Sequence, residues 1–424
     1  MRRKILKMPG LTYQNRTTGR QRGQPPGELR TGRRPGDAFD SPFGFRYYRG
    51  RYWRRGFTTG AGAAAAAKAA AMLWTGQPCP DEVSVANPQG ERLVIPVAAG
   101  KARRGRAWAY VVKDAGDDPD VTHGVKIIAI IEEAAGEQVT IVGGTGVGRV
   151  TRPGLPVPVG EAAINPVPRE MITRTVREVV PAGGVMVTVA LPEGKHLARR
   201  TMNPQLGITG GLSILGTTGI VEPMSEEAYC QSLVPQIDMA LAGGNSLLVL
   251  TPGRKSQQVA TCRYGFPAPA VVQAGNFFGF MLEEAAGRGV ERFILLGEPG
   301  KLVKLAAGIF NTHNRVADAR RETLAAHAAL LGAPAPVVAG IMAAASVGQA
   351  VDCLDQAGLK APVLERVAVA AGEKVRGFLH RFTPGPERDW EIGVIITGPD
   401  GQMLACTPPA RELGGTLGCR PECW

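Results

Sequence analysis

The densest chemistry in the chain lies in the stretch KDAGDDPDVTHG, which sets Asp114, Asp117, Asp118, Asp120 and His123 close together behind Lys113. Carboxylate oxygens in such a loop suit a hard divalent cation, and a carboxylate beside an imidazole suits general-base work. The spacing is not that of an EF-hand, and a solvated acidic turn shaped by Pro119 is the competing reading. A second candidate is Gly297-Glu298-Pro299-Gly300-Lys301. It has two residues between its glycines and Leu302 after its lysine, whereas a phosphate loop needs four residues and then a hydroxyl. Nucleotide hydrolysis by that mechanism is excluded, while an anion or carboxylate at a helix start remains open beside a plain tight turn. His313 stands in a third polar cluster with Arg315, Asp318 and Arg320 close behind, open between a site and an ordinary helix end. Cys419 and Cys423 could hold a metal or be oxidised, although terminal thiols with no second pair are usually inert. No G-x-S-x-G elbow, H-E-x-x-H or paired C-x-x-C occurs.

The elements that must carry these groups read as two kinds of architecture. Thr58 and Thr59 offer a cap to a helix over Ala63 to Leu73, where alanine dominates. Gly60, Gly62 and Ala65 satisfy G-x-G-x-x-A, but YWRRG before them is no strand, so a dinucleotide turn is rejected. Glu82 to Val97 predicts a hairpin around NPQG, Ala107 to Lys113 and Val125 to Glu132 predict strands, the stretch Ala163 to Arg169 opens a helix through Val179, and Val185 to Ala190 predicts a further strand. From about Ser232 the pattern changes. Leu247 to Leu250, a helix over Gly279 to Ala286, Phe293 to Leu296 and a long helix alternate, which predicts a parallel, doubly wound sheet. Such a sheet binds ligands beyond its carboxyl ends, here at Thr251 to Gly253 and Gly297 to Lys301. Glu391 to Thr397 with the Gly398 to Gly401 turn predicts a closing hairpin. The expected fold is α+β followed by a Rossmann-like α/β unit, with 1–54 a basic disordered extension, 55–231 the α+β domain, 232–355 the α/β domain and 356–424 of uncertain membership.

Length and composition agree. The 424 residues are 44% hydrophobic and 20% charged, enough for two packed domains. The net charge of +12 would suggest a nucleic-acid partner, yet 15 of the 49 Lys and Arg and three of the 37 acids precede residue 56, leaving the remainder balanced. A Gly-, Pro- and Arg-rich segment of that kind predicts a solvated tail or, alternatively, an RNA or membrane-surface tether. Seven scattered cysteines fit a reduced compartment, and neither a signal peptide nor a membrane span is expected, which places the protein in the cytoplasm.

Six strings in order, FTTGAGAAAAAKAA from Phe57, VVKDAGDDPDVTHG from Val111, GGTGVGRVTRPGL from Gly143, AINPVPREMI from Ala163, GGLSILGTTGIVEPMSEEA from Gly210 and GKLVKLAAGIFNTHNRVADAR from Gly300, resemble the CbiD family of cobalt-precorrin-5B C(1)-methyltransferases. The resemblance implies a two-domain CbiD-like fold, S-adenosyl-L-methionine as methyl donor and cobalt-precorrin-5B as substrate in anaerobic cobalamin biosynthesis. Cobalt would enter only as part of that substrate, and a homo-oligomer is possible. Gly62 and Glu298-Pro299 depart from the family pattern, which often has a cysteine and a histidine there. The substrate's carboxylates call for cations, expected at Lys113, Arg152, Arg169, Lys301 and Arg315. Thr217, Thr218, Gly219 and Glu222 are expected to hold the donor, and Asp114 and His123 to manage a released proton. Two other classes stay open: a metal-dependent hydrolase using the Asp114 to His123 loop, and an RNA-binding protein led by the basic tail.

Overall fold

The computed structural model describes residues 42–382 and 388–419. The alanine stretch forms the helix Thr59–Trp74, capped by Thr58, whose Oγ accepts the Ala61 N–H at 3.2 Å. Almost every residue of it is buried, because alanine and glycine alone let a sheet on one side and the helix Pro166–Arg177 on the other approach its backbone. Gly62 shows how closely: a Cβ there would lie 2.6 Å from Ile127 Cδ1 and 3.0 Å from Phe57 Cε2. This departure from the family pattern therefore sits in the core and not at a site.

The sheet beneath that helix runs in the order Ala99–Arg103, Arg106–Val112, Lys126–Ala134, Gly184–Ala190 and Val139–Gly143, antiparallel except for its last pair. Alternate residues point inward, with Ala107, Ala109, Val111, Ile127, Ala129, Ile131, Val185, Val187 and Val189 all buried. Glu82–Ala86 and Arg92–Pro96 form the expected hairpin.

A second sheet has the order Val271–Gln273, Leu247–Thr251, Arg292–Gly297, Glu391–Thr397 and Met403–Cys406. The first four strands are parallel and the last is antiparallel. Leu247–Thr251 is buried along its whole length, as a strand covered on both faces must be. Helices including Phe278–Gly287, Pro299–Ala306 and Lys360–Phe382 pack on one face, and the Arg254–Gln258 helix with its continuation and Pro408–Thr416 pack on the other. The pairing of Glu391–Thr397 with Arg292–Gly297 makes the end of the chain an integral part of this sheet. The order is the doubly wound 2-1-3-4-5 type, whose switch point lies between Leu247–Thr251 and Arg292–Gly297.

The expected disordered extension is corrected over its last part. Phe45–Tyr48 and Arg51–Arg54 form a hairpin, with the Arg51 guanidinium 3.4 Å from the Trp53 ring centre. Arg46 donates to the Pro223 carbonyl at 2.8 Å, and Tyr48 and Arg49 reach Glu226. Stacked arginines and distant anchors supply what apolar periodicity did not. Residues 1–41, with most of the basic tail and the RNA-binding alternative built on it, lie outside the described residues, as does Cys423. The Cys419 thiol is buried and donates to the Tyr264 carbonyl at 2.7 Å.

Candidate active site

The acidic loop connects two strands of the first sheet, and each of its carboxylates already has a partner. Lys113 is buried, and its Nζ donates to Asp120 Oδ2 at 2.6 Å, so it is a structural cation and not the expected substrate contact. Asp120 also accepts the N–H and hydroxyl of Thr122 at 2.8 and 2.7 Å. Asp114 accepts both guanidinium ends of Arg54 and the Gly116 N–H. Burial pushes its carboxyl up, but the Arg54 bond, the Gly116 amide and the Arg54 charge together hold it below the usual range. Asp117 accepts the Arg54 N–H at 2.6 Å, and Asp118 accepts the Met224 N–H at 3.0 Å. Asp114, held in this way, is ionised and occupied, a poor proton acceptor. Exposed His123 accepts the Ala115 N–H at Nδ1 (3.1 Å), which leaves its proton on Nε2. These carboxylates meet Arg54, Lys113 and amides instead of converging on one point, and among the described residues no group of three or more His, Cys, Asp or Glu could hold a metal. That geometry does not fit the metal-hydrolase alternative.

The Thr217 to Gly219 turn lies over the start of the alanine helix. Gly219 O accepts the Thr58 N–H at 2.9 Å, and Leu215 O accepts the Gly60 N–H at 3.0 Å. Thr218 Oγ bonds within its own turn, to Ile220. Glu222 pairs with Arg55 at 2.7 Å. The helix amides and the turn's polar atoms satisfy one another, so of the residues expected to hold the donor only Thr217 keeps an uncommitted side chain among the described residues. The structure does gather the expected donor and catalytic residues on one rim, since Arg54 and Arg55 join Asp114 to Glu222.

The expected substrate cations are dispersed. Arg169 is spent on the Ile164 and Ile141 carbonyls and on Glu161. Arg152 is exposed, with its stem against Gly207. Lys301 lies at the carboxyl edge of the second sheet, where its Nζ donates to Asn276 Oδ1 at 2.6 Å; burial, with the charges of Lys304 and Arg320, lowers its pKa. Arg315 is exposed on the loop that follows. Lys304, unremarked in sequence, is fully buried and donates to Thr312 O, Asn314 Oδ1 and Ala317 O at 3.1, 2.8 and 2.8 Å, which pins that loop. At the switch point Pro252 packs on Gly297, and Lys255 pairs with Glu298 at 2.8 Å across the mouth. Glu298 thus acts as an ion-pair partner where the family pattern has a histidine. Sequence reasoning missed Arg199, Arg200 and Arg254, which are exposed and bonded to nothing among the described residues. Position is the only signal, since Arg254 directly follows the strand-end segment Thr251 to Gly253.

The sequence model of the family described as CbiD matches residues 46–223, and that described as the CbiD C-terminal domain matches 311–408. A protein named cobalt-precorrin-5B C(1)-methyltransferase from Moorella thermoacetica is 48% identical over 86% of this chain and 98% of its own length. One of the same name from Desulfitobacterium hafniense is 45% identical over 85% of this chain and 92% of its own. A crystal structure of a cobalamin biosynthesis protein, cbiD, from Archaeoglobus fulgidus is 31% identical over 66% of this chain and 87% of that one, with a TM-score of 0.36. With both family models matched in order, and named relatives of 45–48% identity aligned over nearly their whole length, this chain belongs to the CbiD family.

Proposed function

We propose that this protein transfers the methyl group of S-adenosyl-L-methionine to C1 of cobalt-precorrin-5B, giving cobalt-precorrin-6A. The observation that carries the reading is kinship along 98% of a named methyltransferase at 48% identity. The chemistry asked of the residues is modest. A sulfonium methyl is already activated, so the protein has to align ring carbon, methyl and sulfur in a water-poor cleft, and no strong base is needed for attack. A site whose carboxylates are all neutralised by arginine, lysine or amides suits that demand. Arg152, Arg200 and Arg315, exposed and unpaired, are assigned to the substrate's peripheral carboxylates, with Lys301 held by Asn276 at the sheet edge as a further contact. His123 is assigned as a hydrogen-bond donor through Nε2, with Asp114 fixing the loop that presents it. The cobalt belongs to the substrate. Incubation with cobalt-precorrin-5B and methyl-labelled S-adenosyl-L-methionine should give a labelled corrinoid; a product without label overturns the proposal.

A further inference from the structure

A basin of about 200 Å³ opens beside the switch point, lined on one side by Arg199, Thr201 and Gln205 and on the other by Arg254, Gln257 and Gln258. Its charge is one-sided: both arginines lack a carboxylate among the described residues, and no acid lines the basin. Gln257 is fixed through Nε2 to the Val271 carbonyl at 3.2 Å. Two guanidinium groups with no acid beside them form the complement of a carboxylate. The volume is below the roughly 300–1,000 Å³ that encloses a whole drug-sized ligand, so the basin takes one end of a donor and leaves its nucleoside outside.

We infer that this basin receives the amino-acid end of the sulfonium donor, in place of the Thr217 to Glu222 turn. The inference rests on the methyl-transfer reading, and the experiment separates the two. Titration calorimetry on the full chain compares S-adenosylhomocysteine with 5′-methylthioadenosine, which keeps the nucleoside thioether and lacks the amino acid. The unaltered protein should bind the first more tightly. Arg254→Met should weaken S-adenosylhomocysteine about 10- to 100-fold, as loss of a charge-assisted bond does, and leave 5′-methylthioadenosine unchanged. Arg199→Met should act in the same direction, and Arg254→Lys should restore part of the affinity. Arg254 is exposed and bonded to nothing, so its replacement spares the fold. Equal weakening of both ligands, or of neither, overturns the basin assignment; failure of the unaltered protein to bind either ligand overturns the methyl-transfer reading instead.

Discussion

Removing the charge of Asp120 isolates the energetic role of the acidic loop. Lys113 Nζ lies 2.6 Å from Asp120 Oδ2 and the lysine side chain is 1% exposed, so Asp120→Asn strands an ammonium in the interior. Breaking a buried pair from one side costs about 3–5 kcal/mol. The Asp120 side chain is 25% exposed, so water relieves part of the strain and the lower end, about 3 kcal/mol, applies. At about 2.1 cal/mol/K of unfolding entropy per residue, a cooperative unit of this size should lose about 4 °C in Tm. Adding Lys113→Met removes the stranded charge and should recover most of the loss, which scanning calorimetry of the single and double variants measures. The acid side offers a second reading of the same pair. Burial raises the Asp120 carboxyl, but the charge and hydrogen bond of Lys113 and the Thr122 donors outweigh it and hold it below its ordinary value. Its stabilisation is therefore complete above the ordinary carboxylate range and drains away as pH falls through the lower, folded value. Asp120→Asn should flatten that limb of the stability profile. A single variant that melts with the parent, or a double variant no better than the single, would refute the buried-pair account.

Asp118 should behave in the opposite sense. Burial, with the neighbouring charge of Asp120, raises its carboxyl against the Met224 amide and Lys113, so its ionised form carries a penalty at neutral pH that vanishes once pH falls below the ordinary carboxylate value. Asp118→Asn keeps an acceptor for the Met224 N–H and should raise Tm at neutral pH but not near pH 3, a difference that paired thermal melts detect. At Gly216, φ is +131° and a Cβ would lie 2.3 Å from Thr58 Oγ1; Gly216→Ala should cost about 2–4 kcal/mol in urea denaturation. Lys304→Met leaves Asn314 Oδ1 and Ala317 O without their lysine donor, so subtilisin should cut between residues 311 and 319 several-fold faster, with the rest of the digestion pattern unchanged.

What was legible in the sequence follows from the range of the forces involved. Thr58 before an alanine run predicts a capped helix because both signals are local, and Val185 to Ala190 alternates because one face of its sheet is buried. The Leu247 run predicts a parallel strand and with it the carboxyl edge at Thr251 to Gly253. The hairpin at Phe45–Arg54 was not legible, since its anchors at Pro223 and Glu226 lie 177 or 178 positions along the chain. Lys113 and Arg169 read as free cations for the same reason: burial and carbonyl partners are properties of the fold. Lys304 reads as one more helix lysine until the Thr312 to Ala317 loop closes on it. Arg199 and Arg254 carry no local mark of being unpaired, because freedom from partners is visible only once every partner has been placed.

That contrast decides where the chemistry belongs. A group that must meet a ligand has to enter the complex with unspent bonding capacity, and in this chain the acidic loop has little: Asp114, Asp117, Asp118 and Asp120 are each satisfied internally. Its charges cross-link the hairpin, the first sheet and the segment leading to the second sheet through Arg54, Lys113 and Met224. Unspent capacity collects instead at the carboxyl edge of the second sheet, in Arg254 and Arg315, and across from it in Arg199 and Arg200. Under the proposed methyl transfer, whose two reactants each carry carboxylates, residues of that kind are the ones with capacity left for a ligand, while the loop ties the hairpin to the first sheet and to the Met224 segment.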